Sequence, residues 1–148
     1  MGKSFIYKFG LPNFMTVKED YLRAIYHIQE ETNDANKKGV SSIGLCRYLN
    51  LSKSTVSEML RKLVKDRCII QKRYGKIILT KKGIRESKNL TKKHRVIEVF
   101  LNKVLKINPN TVHNEAHKLE HAFSDDSIKS IIGIIKHTKK CPHGKPIP

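Results

Sequence analysis

A chain of 148 residues with 39% hydrophobic residues is long enough for one compact domain or two small ones sharing a core, and its 30 basic against 13 acidic side chains give a formal charge of +17. The excess is spread along the chain, +8 over residues 1–80 and +9 over residues 81–148, a field that attracts polyanions, with double-stranded DNA as the expected partner. The three cysteines form no C-x-x-C pair, so neither a disulfide framework nor a zinc ribbon is indicated, and no apolar run has the length of a membrane span or a signal-peptide core. A cytoplasmic protein with no membrane partner is expected.

Residues 1–14 read as a non-helical arm punctuated by Gly10 and Pro12. Thr16 with Glu19 three residues on is a capping box, opening a first helix that runs to about Glu31 with Leu22, Ile25 and Ile28 on its apolar face. A polar loop over residues 33–39 follows, and Ser41 or Ser42 caps a short second helix with Ile43, Cys46 and Leu49 inward. After a tight turn, a third helix from about Ser52 to Lys65 turns Val56, Met59 or Leu60, Leu63 and Val64 to the apolar side. That register leaves Lys53, Ser54, Thr55, Ser57, Glu58, Arg61 and Lys62 outward. Two short helices, the second opening with small polar and basic residues, have the form of a helix-turn-helix. Residues 68–73 and 76–80 are β-rich runs joined around Tyr74-Gly75, a hairpin, so residues 15–80 are expected to form a winged helix. Cys46 and Cys68 read as small core residues.

Thr80 then caps a long helix, about residues 81–106. Its stripe of Leu90, Ile97, Phe100, Leu101, Val104 and Leu105 is wider than one winged helix covers and points to a dimer interface. Another helix runs from about Asn110 to Phe123, and Ser124-Asp125-Asp126 starts one more with Ile128, Ile131, Ile132 and Ile135 on one side. The tail, residues 141–148, is too rich in Pro and Gly to be regular. On the 110–123 helix, His113, His117, Glu120 and His121 have the spacing that places them on one face. Imidazole with carboxylate suits iron, manganese, nickel or zinc. The same residues also fit a solvated helix face, and His117 to His121 matches H-x-x-E-H, the signature of a class of zinc peptidases.

Several strings together resemble the diphtheria toxin repressor family of metal-activated winged-helix regulators. They are residues 19–26 (EDYLRAIY), 54–57 (STVS), 79–83 (LTKKG), 93–95 (KHR), 112–121 (VHNEAHKLEH) with Ser124-Asp125, and Cys141-Pro142-His143-Gly144 with Pro146-Ile147-Pro148. The resemblance runs from about Met15 to the last residue. It implies a mainly α protein with a small β-hairpin, an N-terminal winged helix-turn-helix (15–80) and a helical dimerisation and metal-binding domain (81–140). It also implies a primary metal site at Asp20, His117, Glu120 and His121, and an ancillary site at His94, Glu98 and His113. His94 and Glu98 stand at i and i+4, a spacing at which two side chains can share an ion; a plain surface His–Glu pair has the same spacing.

Iron-sensing members commonly carry sulfur at two primary positions, occupied here by Asp20 and His117. Manganese-sensing members carry Asp at the first, a carboxylate at the second, and an extra glutamate where this chain has Arg23. The sulfur-free set favours Fe(II) or Mn(II), with zinc, nickel or cobalt able to bind in vitro. Longer relatives continue into an SH3-like domain beyond the point where this chain ends. The expected function is a homodimeric, metal-dependent repressor of palindromic operator DNA, read by Ser52, Lys53, Ser54, Thr55, Ser57, Glu58, Arg61 and Lys62, with Lys72, Arg73 and Lys76 of the wing on phosphate or the minor groove. A constitutive DNA-binding protein with a structural metal, and a zinc hydrolase built on H-x-x-E-H, are the competing expectations.

Overall fold

A computed structural model of the chain describes residues 17–32, 39–72, 75–136 and 138–148. The arm over 1–14, Thr16 of the expected capping box, most of the first loop, and Arg73 and Tyr74 of the wing lie outside the described residues. The elements are α1 (Val17–Thr32), α2 (Ser42–Leu49), α3 (Lys53–Lys65), β1 (Ile69–Gln71), β2 (Ile77–Leu79), α4 (Lys81–Lys103), α5 (Pro109–Leu119) and α6 (Asp125–Ile135). They fall into two compact units, the first ending at Ser87 and the second spanning Lys88–Pro148. No helix among the described residues is long and apolar enough to cross a membrane.

In the first unit, serine caps set the helix starts as expected. Ser41 Oγ accepts from the Gly44 N–H and Ser52 Oγ from the Thr55 N–H, satisfying donors that the first turn leaves over. The turn between α2 and α3 is made by Asn50 in the left-handed region (φ 54°), with the Leu51 N–H donating back to Cys46 O at 3.1 Å. Leu22, Ile25, Leu45, Leu49, Val56, Leu60, Leu63, Ile69 and Ile77 form the core. Two expected core positions are instead on the surface: Ile43 is 52% and Val64 43% exposed. The buried stripe of α3 is Val56, Leu60 and Leu63, and Val64 lies one step off it; Ile43 lies outside the buried pair Leu45 and Leu49 of α2. The hairpin pairs Ile69 with Leu79 and Gln71 with Ile77, leaving Ile70 and Ile78 on its outer face. Val40 adds an antiparallel bridge to Ile77 that periodicity gave no sign of.

The second unit packs Val96, Ile97 and Leu101 of α4 against Val112, Ala116, Ile128 and Ile131. Helix α4 stops at Lys103, three residues short of the expectation, because Lys106 adopts φ 58° and the Ile107 N–H reaches back to Leu101 O at 3.0 Å. Asn108 caps α5 and Pro109 occupies its first turn. Val104 and Leu105 are exposed, as are Ile132 and Ile134 of α6. The tail is more ordered than its composition suggests. Cys141 N–H donates to Lys145 O, Gly144 N–H to Cys141 O and Ile147 N–H to Lys139 O, each at 2.9 Å, and Arg95 donates to Pro146 O.

Candidate metal centre and nucleic-acid face

Helix α4 turns His94 and Glu98, one turn apart, into the interior of the second unit, where they are 3% and 2% exposed. His94 Nε2 lies 3.1 Å and His113 Nδ1 of α5 lies 2.8 Å from the same Glu98 oxygen, and the two ring nitrogens are 2.9 Å apart. Burial alone would raise the Glu98 carboxyl, but hydrogen bonds from His113 and His94, and then their charge, hold it well below the usual carboxylate range. His143 brings a third imidazole, its Nδ1 3.3 Å from that oxygen, and Cys141 joins Glu98 and His143 in a further group of ligand-type atoms.

A second group gathers at the C-terminus of α5. The helix ends at Leu119, so the idea of four ligands on one regular helix face needs correcting: His113 turns to Glu98, while Glu120 and His121 lie in the turn beyond. Glu120, 1% exposed, keeps αR geometry, and its N–H donates to Ala116 O as a continuing helix would. Its Oε1 lies 2.8 Å from His117 Nδ1 and 3.2 Å from His121 Nε2, and its Oε2 lies 2.6 Å from His94 Nδ1. His94 therefore touches both carboxylates, one with each ring nitrogen. Asp20 belongs to the first unit, where it is 2% exposed and 3.4 Å from the guanidinium of Arg23, itself 1% exposed.

These donor sets fit a divalent transition ion. Three ring nitrogens converge on one oxygen of Glu98, and the nitrogens of His94 and His113 that face each other at 2.9 Å leave room for one proton between them, so the cluster can present a nitrogen lone pair to a cation. Buried carboxylate with imidazole is the chemistry that first-row ions bind, and such a cation would offset the desolvated charge of Glu98 and Glu120.

On the first unit, every residue of α3 expected to read DNA is exposed: Ser52, Lys53, Ser54, Thr55, Ser57, Glu58, Arg61 and Lys62. Lys72 and Lys76 flank the wing and are exposed; Arg73 lies outside the described residues. Within this face the roles divide. Ser52 is the cap, bonded to Ser54 Oγ and Thr55 Oγ1 at 3.0 and 2.7 Å, and Glu58 is engaged by Lys62 at 3.0 Å, which lowers its pKa. A groove of about 550 Å³ runs along the turn, lined by Ile43, Arg47, Asn50 and Lys53 among others.

Residues 13–77 match the family model for the N-terminal DNA binding domain of the iron dependent repressors, and residues 80–148 match the model for their metal binding and dimerisation domain. The chain belongs to the iron-dependent repressor family. It is 36% identical over 113 residues to an HTH-type transcriptional regulator of Methanocaldococcus jannaschii, covering 76% of this chain and 87% of that protein. It is 30% identical to the transcriptional regulator MntR of Bacillus subtilis (80% of each chain) and 27% identical to the diphtheria toxin repressor of Corynebacterium diphtheriae, spanning 93% of this chain but 59% of that one. Among solved structures, the manganese regulator SloR superposes with a TM-score of 0.76 at 34% identity over 94% of this chain and 60% of its own. A manganese-dependent repressor in complex with manganese gives 0.78 at 34% identity, over 88% and 58%.

In this member of the family, Cys141 and His143 are ligand-type residues that the sequence did not single out. They are distant in sequence from α4, and only the turn closed by Lys145 and anchored through Arg95 carries them to Glu98. Arg47 was missed as well. Its signal was a basic residue in the last turn of α2, where it lines the groove beside α3.

Proposed function

We propose that the protein is a homodimeric, metal-dependent transcription repressor, acting in the cytoplasm on a palindromic operator when loaded with Fe(II) or Mn(II). The observation that carries this is Glu120, a buried carboxylate contacted by three imidazoles, in a chain whose other unit is a basic winged helix. Asp20 of α1, with His117, Glu120 and His121, is the primary ligand set. His94, Glu98 and His113, joined by Cys141 and His143, make up the ancillary set. When bound, the ion would supply a positive charge that offsets these buried carboxylates and fixes the orientation of the imidazoles.

The protein's own residues do the rest. His94 orients Glu120 by occupying its second oxygen, as outer partners of ligands do. Ser54, Thr55 and Ser57, small and exposed near the start of α3, approach base edges in the major groove; Lys53, Arg61, Lys72, Arg73 and Lys76 meet phosphate. The exposed Val104, Leu105, Ile132 and Ile134 supply apolar area for the second subunit. Metal and operator favour the same conformer in this reading, and their coupling is then reciprocal: about 1–3 kcal/mol corresponds to roughly five- to 150-fold in operator affinity.

Fluorescence anisotropy with operator DNA, titrated at fixed free Mn(II) or Fe(II), tests the reading. Wild type gains affinity with metal. Glu120→Ala loses that gain by about an order of magnitude or more while keeping the salt-sensitive binding to any duplex. The burial of Glu98 and Glu120 also favours a purely structural metal. In that case chelation unfolds the chain, visible by circular dichroism, and DNA affinity does not track free metal.

A further inference from the structure

A cation already occupies the surroundings of Asp20. Arg23 stands one turn along α1, is among the largest fully buried side chains of the molecule, and brings its Nη2 to 3.4 Å from Asp20 Oδ1. Both side chains of the pair are only 2% exposed. Arginine holds its charge under all physiological conditions and, unlike lysine or histidine, does not escape burial by losing a proton. A guanidinium held there has two consequences. It offsets the charge of the buried Asp20 carboxylate through Oδ1 without metal, and it opposes any further positive charge brought to the same carboxylate through poorly screened, low-dielectric surroundings.

We infer that Arg23 is a resident counter-ion that competes with the metal for Asp20 and so sets the free-metal concentration at which the protein responds. The inference rests on Asp20 being a metal ligand, as proposed above. It assigns to Arg23 a role opposite to that of a ligand: the residue offsets the Asp20 charge in the metal-free state and makes the loaded state harder to reach. Binding at Asp20 exchanges one charge partner for another, which is how a site can stay folded when empty and still respond over a narrow range.

The test uses the full chain and Mn(II) alone as the probe, with affinity read by competition against a fluorescent chelator and folding by circular dichroism, for wild type, Arg23→Gln, Arg23→Lys, Asp20→Asn and the double variant Asp20→Asn/Arg23→Gln. Arg23→Gln binds Mn(II) tighter by about tenfold or more, the scale of one close like charge, while Arg23→Lys stays within about threefold of wild type. In the Asp20→Asn background the same Arg23→Gln change gives no gain, since the competition is over that carboxylate. If Arg23→Gln is unfolded without metal, millimolar Mn(II) restores it. Unchanged or weaker Mn(II) binding by a folded Arg23→Gln overturns the inference, as does a gain that persists without Asp20, or an unfolded variant that metal does not rescue. Asp20→Asn separates this outcome from failure of the underlying reading: if that variant binds Mn(II) as wild type does, Asp20 is no ligand and the proposed primary site falls, whatever Arg23 does.

Discussion

Tyr21 is the residue whose environment is least reconciled with its chemistry. It is 1% exposed, and its hydroxyl has no hydrogen-bond partner among the described residues. Burial, then the nearby Cys46 and Glu58, push its phenol up to about 12. A group whose folded pKa is raised gives stability that is complete below its unfolded value, about 10 for tyrosine, and lost as pH rises through the folded value. Wild type is therefore expected to lose on the order of 2 kcal/mol between about pH 10 and 12 that Tyr21→Phe does not lose. At pH 7 the Phe variant is equally stable or gains about 1 kcal/mol, because it removes an unsatisfied buried hydroxyl and keeps the ring. Urea denaturation of both proteins at pH 7 and pH 11 checks this; a Phe variant clearly weaker at pH 7 means that the hydroxyl has a partner after all. None of this was legible in the sequence, where Tyr21 is one more residue beside the apolar face of α1. The candidate ligands stood out more readily, since histidine and glutamate at spacings of three and four are visible before any fold is known.

At the scale of elements, the order of helices and hairpin among the described residues followed from apolar periodicity and from serines placed just before it: of the two candidates Ser41 and Ser42 it is Ser41 that caps α2, and Ser52 and Ser124 cap α3 and α6. What periodicity missed were events set by backbone conformation and tertiary contact. Lys106 in the left-handed region ends α4 early, α5 ends before two of its expected ligands, and Val40 pairs with Ile77 from outside any regular strand. Gly83 is an instance of the same kind. It sits in the first turn of α4 so close to β1 that a Cβ there would lie 2.0 Å from Cys68 O, a backbone atom that cannot swing aside. Gly83→Ala gains helix propensity of up to about 1 kcal/mol and is still expected to destabilise the protein by roughly 3 kcal/mol, because α4 must pull away from the hairpin. A chemical denaturation curve decides, and a variant as stable as wild type would mean that helix and hairpin separate at this point without cost.

For the molecule as a whole, composition foretold a polyanion partner but not how the charge is used. A formal charge of +17 spread over both halves gives strong attraction to any duplex, a background on which a metal-controlled component has to stand out. The division of the candidate ligands into two groups followed from the family resemblance, where helix spacing alone puts His113 with His117; the contact of His94 with both Glu98 and Glu120 had no signal in the sequence, because it depends on the packing of α5 against α4. Exposed lysines and buried carboxylate–imidazole groups are different side chains, so their contributions to DNA binding can be probed separately. Lys76, exposed beside the wing, is the probe of the first. Lys76→Ala is expected to weaken operator and random duplex alike, and to reduce the slope of log affinity against log salt by about one for each phosphate that goes unneutralised. Chelation does the reverse: it removes the preference for operator over random duplex and leaves the slope with random duplex unchanged. Anisotropy titrations from low to moderate salt, with and without chelator, distinguish the two. A Lys76→Ala variant whose weakening falls on the operator alone would move this lysine from phosphate to base readout.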